Sequence, residues 1–400
     1  MGKVESAGWP RWLQGGVVLV LGSGVVALYG AFLLSSTVLR TQGPLPTDVL
    51  AFLAAARLAA AGQAAIAYDW TAFSEAQAAV LGRGTEAIGG ALGWLNPPHF
   101  FFAVLPLAPL GYGWAWLLWT LAGVALLAGA AWLILPRAPA VLAVLAAPSV
   151  MLCMSVGQNG LLIAALFGVT FALMDRRPGL AGVALGLLTV KPQFGLLLPA
   201  LLLVTGRWRV FAAAAATALL AMGLAWAIFG TEAWLAFLPS LSSNAARMLG
   251  GEVSPRIQSV YAFLLRLTGQ REVAVIGHAV LALAATGLTL HLWLRRPAVG
   301  EEPRAAAAIA ASYLMTPYVW GYDTPAIPVA ALFLVRGALR EGWLPGEKAI
   351  LVGACLLPGL LAMAQFPLTA PAAWGLLLWS AWRRAGVSPA GRAAPPVAGT

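Results

Sequence analysis

Hydrophobic and polar positions alternate along this chain in long blocks rather than turn by turn. Apolar runs fall at about 13–36, 114–135, 139–156, 159–174, 179–191, 193–206, 208–229, 273–294, 305–320, 324–338, 348–365 and 370–382. The runs 13–36 and 273–294 reach the roughly 20 residues that a helix needs to cross hydrocarbon. Several others are shorter, and such helices need protein neighbours or a locally thinned bilayer. The pattern predicts an all-α, polytopic transmembrane helix bundle with about twelve spans. The first run is too long for a signal-peptide core, and no small-x-small cleavage site follows it.

Two polar stretches are too long to be simple turns. They predict a first outer loop over 37–113 and a second over 230–272. Within the first, 47–61 reads as a helix. The apolar stretch 97–110 reads as a helix lying at the interface or dipping into it, because one more crossing would reverse the side on which Arg137, Arg176 and Arg177 fall. Residues 1–384 form a single membrane domain on this reading. The Ala-, Pro- and Gly-rich segment 385–400 reads as a disordered cytoplasmic tail.

Composition agrees with the pattern. Hydrophobic residues make up 61% of the chain and charged residues 10%, against about 25% charged in soluble domains. The net charge of +10 does not point to nucleic acid, because the basic residues sit between apolar runs as topology signals. With the N-terminus inside, 16 of the 24 basic residues fall on one face, which carries the whole net charge. That is the distribution the positive-inside rule expects, and the richness in Ala, Gly and Pro suits a GC-rich bacterial genome, so the bacterial inner membrane is the expected location. Cys153 and Cys355 lie inside apolar runs, and His99, His278 and His291 are scattered, so neither a disulfide framework nor a metal site is indicated. No cofactor is indicated either.

The remaining polar residues gather at the outer boundary. Asp48 follows the first span: Thr47 or Asp48 can cap the next helix, or Asp48 can serve as a general base whose pKa is raised by partial desolvation. Lys191 lies between two short runs in Lys191-Pro192-Gln193, where it either snorkels or is held for function, since an unpaired lysine in hydrocarbon costs roughly 2.5–3.5 kcal/mol. Gly157-Gln158-Asn159 is a polar break at the same level, or an ordinary turn. Thr316 to Asp323 combines aromatics, including Tyr322, with an acid; aromatics alone would suggest an interfacial belt. Arg256, with Gln258 and Ser259, offers a planar fork for a phosphate, or is a solvated loop arginine. Together these groups suit an anionic lipid-linked substrate and a hydroxylated acceptor.

In order along the chain stand Asp48, Ala61-Gly62 to Tyr68-Asp69, Asn96-Pro97-Pro98-His99-Phe100, Leu105-Pro106-Leu107-Ala108-Pro109-Leu110, Gly157-Gln158-Asn159, Ala181-Gly182 to Leu187, Lys191-Pro192-Gln193, Arg207-Trp208-Arg209 and Gln258-Ser259. In this series the chain resembles the family 87 glycosyltransferases (DUF2029), which include polyprenyl-phosphate-mannose-dependent alpha-mannosyltransferases of the GT-C class. The resemblance implies a GT-C fold with its site facing the periplasm, a polyprenyl-phosphate-sugar donor, a glycolipid or glycan acceptor, and inversion at the anomeric carbon. It implies that Asp48 is the catalytic base. Lys191, Gln193, Gln158, Asn159, Arg256, Gln258, His99, Tyr322 and Asp323 are the candidate substrate-binding residues, with Lys191 and Arg256 on the phosphate. Asn96 departs from the tyrosine common before the double proline. The late histidine pair of actinobacterial mannosyltransferases has no counterpart in 316–323. The alternative from a different class is a membrane transporter or lipid flippase, which should show paired broken helices in two related halves; no such repeat stands out.

Overall fold

The computed structural model describes residues 47–82, 84–85, 92–249, 253–295, 298–362 and 366–386. The predicted first span, 13–36, and the tail from 387 lie outside the described residues. Among the described residues the chain is all-α, with no strand and one isolated bridge between Ile257 and Trp320.

The main helices are α1 (Asp48–Ala60), α2 (Trp70–Leu81), α3 (Tyr112–Ile134), α4 (Ala138–Leu145), α5 (Pro148–Val156), α6 (Gly160–Leu173), α7 (Pro178–Leu187), α8 (Leu197–Val204), α9 (Trp208–Leu249), α10 (Val260–Thr268), α11 (Arg271–Leu294), α12 (Glu301–Met315), α13 (Ala326–Glu341), α14 (Glu347–Ala362) and α15 (Thr369–Gly386). Three of them, α3, α9 and α11, are by themselves long and apolar enough to cross a membrane. The predicted span 139–156 is instead a bent pair, α4 and α5, meeting at 56°, because Pro148 cannot continue the hydrogen-bond ladder of α4. The stretch 97–110 forms only short turns over Pro98–Phe100, Phe101–Val104 and Leu105–Leu107, too short to cross. The second predicted loop is largely helical: α9 runs on past a break at Gly230 (φ 79°, ψ 167°), and α10 follows.

Burial separates two kinds of helix. α12 and α13 are buried over nearly their whole length. Ala305 to Ala311 lets α11, α13 and α15 close around α12. α9 does the opposite, exposing Leu219, Leu220, Leu224, Trp226 and Ile228. Apolar exposure on that scale marks a face made for lipid. α7 docks on α9 through Gly182 and Gly186, where a Cβ would come within 2.5 Å of α9 backbone. This small-x-x-x-small contact lets two membrane helices approach closely, and it fixes the level at which α7 ends, just before Lys191.

Polar side chains form two layers at opposite ends of α6, whose 14 residues span about 21 Å. The layer at its C-terminal end corrects one expectation. Arg304, Arg336 and Arg384 are not loop topology signals; they lie within helices and are buried. Arg336 and Arg340 both bond Glu302, at 3.1 and 2.7 Å. Arg384 binds both oxygens of the fully buried Glu347 at 2.5 Å. Arg207 pairs with Asp175 at 2.5 Å and lies 5.6 Å from the Trp293 ring centre. Arg207, Arg336 and Arg384 can be buried because each is paired with a carboxylate, while Arg304 donates to Gly300 O at 3.1 Å and lies 5.8 Å from the Trp293 ring centre.

Candidate functional site

The other polar layer is built from breaks in five segments. α5 ends on Gly157 in the left-handed conformation (φ +69°), with its amide donating to Cys153 O at 2.9 Å. Only glycine fits, since a Cβ there would meet Val49 Cγ2 at 2.1 Å. The turn presents Gln158 to Asp48 and Asn159 to Asn96. Gln158 Oε1 accepts from the Asn159 amide at 3.0 Å, so its NH₂ end is the one that donates to the Asp48 carboxylate. Asn159 is buried, and its NH₂ donates to Asn96 Oδ1 at 3.2 Å. Tyr68 OH donates to Asn96 O at 2.8 Å. Asn96, which stands where the family's tyrosine would, is therefore the junction of the first loop with the α5–α6 turn.

Asp48 begins α1 without capping it. The N-cap position is Thr47, which makes no side-chain cap bond; its hydroxyl lies 2.8 Å from Tyr112 OH instead. Capping by either residue, one of the two sequence readings, is not what the structure contains. Burial pushes the Asp48 carboxyl up to about 6. The Gln158 hydrogen bond, then Lys191 and Arg256, pull against that rise, and Asp323 adds to it. Asp48 is thus within electrostatic reach of all three charged residues.

Lys191 sits where α7 ends in a turn over Leu188–Val190 and Pro192 restarts a short helix. Its ammonium does not snorkel. It donates to Asp323 Oδ1 at 2.5 Å and lies 5.1 Å from the Tyr322 ring centre. Asp323 is 1% exposed, and its second oxygen accepts from the Trp320 amide at 2.9 Å. Asp323 therefore holds Lys191 rather than facing solvent. Tyr322 stacks on Trp320 with centroids 5.6 Å apart.

The second loop docks on this turn. The Gln258 amide donates to Val319 O at 2.7 Å, and the Gly321 amide donates to Arg256 O at 3.3 Å. Gln258 is buried, accepting at Oε1 from Thr369 at 2.8 Å. The Arg256 guanidinium is exposed and makes no hydrogen bond or ion pair among the described residues. It is the free cation of the cluster.

His99 is buried, with Nε2 3.3 Å from Thr189 Oγ1. Because Thr189 donates to Gly186 O at 2.6 Å, the imidazole donates through Nε2, which leaves Nδ1 as a bare acceptor. Gln193 makes no side-chain hydrogen bond among the described residues, and the structure does not tie it to the cluster. Asp69 caps α2 through Ala72 N at 2.8 Å. Asn96, Thr189 and Tyr112 were not anticipated as site residues. Only Asn96, a polar residue next to prolines in an apolar stretch, left a readable signal. No group of three or more His, Cys, Asp or Glu residues suited to a metal occurs among the described residues.

These features mark a membrane protein in which, among the described residues, two carboxylates, a paired lysine and an arginine without a partner gather in a polar cluster at one end of a helical bundle. The family model of Glycosyltransferase family 87 matches residues 94–317. That is more than half of the chain, and the chain belongs to this family and is a glycosyltransferase. The match holds His99, Gln158, Asn159, Lys191, Arg256 and Gln258, whereas Asp48, Tyr322 and Asp323 lie outside it. No curated protein and no solved structure matches the chain.

Proposed function

We propose that the chain moves a sugar, mannose in the favoured case, from a polyprenyl-phosphate donor to a glycolipid or glycan acceptor, with inversion. It does so as a GT-C bundle of about twelve membrane-embedded segments in the bacterial inner membrane, with the polar cluster around Asp48 facing the periplasm. The acceptor O–H proton passes to Asp48, the acceptor oxygen bonds to the anomeric carbon, and the bond from that carbon to the phosphate oxygen breaks. Polyprenyl phosphate leaves carrying the electron pair. Arg256 and Lys191 offset the charge that develops on it, the electrostatic stabilisation expected of a site held away from bulk water. Asp323 holds the Lys191 ammonium in place through their hydrogen bond. Asn159 and His99 supply acceptors for sugar hydroxyls.

The observation that carries this reading is the placement of Asp48. It is uncapped, bonded by Gln158, and within reach of Lys191 and Arg256. A base with two cations in electrostatic reach of it is what a single displacement at a lipid-linked sugar requires. The test is to assay the purified protein with radiolabelled polyprenyl-phosphate sugars, mannose first, and acceptor lipid extracts. Transfer that is lost in Asp48→Asn supports the proposal. Movement of labelled lipid across the bilayer without glycosidic product would move the assignment to a flippase.

A further inference from the structure

We propose that the groove between α10, α11 and α15 holds the polyprenyl chain of the phosphate-linked donor, with Arg256 at its polar end; this rests on the donor class proposed above. The groove has a volume of about 610 Å³ and only apolar lining residues, among them Val260, Leu264, Gly277, Leu288, Leu368 and Gly375. From Gly277 to Leu288 it follows α11 for about 16 Å, the depth of roughly one leaflet of a 30 Å hydrocarbon core. A lipid whose head lies at the polar cluster therefore finds a trough running the length its leaflet allows.

Continuity with the polar cluster decides the occupant. At the upper end, Val260 follows Gln258 and Ser259, and Leu368 precedes Thr369, the residue bonded to Gln258. The same segment carries Arg256, whose cation is unpaired among the described residues. Ile257 and Tyr261 pack in one cluster with Leu264, a groove residue. A phosphate at Arg256 thus has an apolar path for its tail directly below.

A second groove, of about 270 Å³, runs between α3 and α6 past Leu126 and Leu162 to Gln158 and Asn159. It ends beside the Asp48 base. Neither groove has a cation in its own lining; the first is assigned to the donor because its upper end continues along the chain into the 256–259 segment that carries Arg256, whereas the second ends on the amides of Gln158 and Asn159. The floor of that first groove is cut by small residues. A Cβ on Gly375 would meet nothing within 4 Å, so a side chain grown there projects into the trough without a backbone clash.

The experiment uses the full chain in lipid nanodiscs and a polyprenyl phosphate carrying a diazirine along its chain. Label is expected in 277–288 and 368–378, displaced by unlabelled polyprenyl phosphate and not by a diacyl phospholipid. Gly375→Leu should weaken retention of the probe roughly tenfold, the loss of about two buried methylenes. Ala372→Leu, which fills the same trough, should repeat the effect if Gly375→Leu lowers the melting temperature. Ala122→Leu, in the other groove, should leave retention unchanged. Labelling confined to 118–126, equal displacement by phospholipid, or wild-type retention in both filled variants overturns the assignment. Sugar transfer is measured on the same preparation. Transfer with the probe in the wrong groove sinks only this inference, and labelling as expected without transfer sinks only the proposed reaction.

Discussion

Lys191 and Asp323 stand 132 positions apart in the chain, yet the ammonium lies 2.5 Å from the carboxylate. The contact ties the break after α7 to the turn before α13, and through the Trp320 amide to the docked second loop. Two charges at the edge of an apolar bundle are tolerable only as a pair.

Removing one partner of that pair should therefore cost more than removing both. Asp323→Asn strands the Lys191 ammonium and is expected to destabilise by about 3–5 kcal/mol, the usual range for a broken buried pair. Lys191→Met with Asp323→Leu should recover most of that stability and none of the transfer activity. Thermal unfolding in detergent, read beside turnover, checks it. A double variant no more stable than Asp323→Asn would mean the pair carries no such coupling.

Gly160 is the close approach that sets the height of the same turn. A Cβ there would come to 1.9 Å from Tyr322 O, and backbone cannot yield as a side-chain tip can. Gly160→Ala should displace Asp323, lower the melting temperature and lower kcat, with about 1–3 kcal/mol of overpacking cost. Gly123→Ala, whose new methyl would meet only the Leu161 side chain at 3.1 Å, is the milder comparison. Equal melting temperatures for the two variants would remove Gly160 from this role.

Much of this architecture is legible in the sequence, and the reasons separate cleanly. Runs such as 114–135 and 273–294 match α3 and α11 because a continuous apolar stretch of that length has few other fates. Asp48, Gln158, Lys191 and Asp323 stand out because a polar residue at a helix break in an apolar chain is costly unless it is used. The bend between α4 and α5 was missed because hydropathy does not register the angle Pro148 imposes. The burial of Glu302, Arg336, Glu347 and Arg384 was missed because charge counts near span ends read as topology, while the pairing of these residues comes from helices meeting in space. The contact of Asp323 with Lys191 depends on that same tertiary information.

The pairs at the far end of the bundle are expected to be structural alone. Glu347→Gln keeps the shape and leaves the Arg384 guanidinium without its counter-charge, so the melting temperature should fall. The KM for donor and the pH profile of the surviving protein should match the wild type, because the polar cluster around Asp48 lies about 21 Å away along α6. A changed pH profile in Glu347→Gln would show that the two polar layers communicate.

Asp48 gives the sharpest test, because stability and activity should move in opposite directions. Its carboxyl, raised by burial to about 6 from an ordinary value of 3.8, is ionised at neutral pH against the preference of its surroundings. In the unfolded chain the group loses its proton near 4. A raised pKa favours the fold at low pH, and that advantage fades as pH climbs from about 4 through 6. Asp48→Asn has no proton to lose, and its amide oxygen can still accept from Gln158. The variant should melt with the wild type at pH 4 and above it at pH 7.5. Transfer should behave the other way. In the wild type the base is available only when ionised, so the rate should rise about tenfold per pH unit below 6 and level off above it. In Asp48→Asn it should fall about 10²–10⁴-fold at pH 7.5. Neither effect comes from capping, since Asp48 does not cap α1. Asp69→Asn should stay near the wild-type rate, because asparagine caps α2 as well as aspartate does. If Asp48→Asn turns over at the wild-type rate, Asp48 is not the base; if folded Asp323→Asn that still melts near the wild type is then dead, the chemistry belongs to the turn that carries Tyr322.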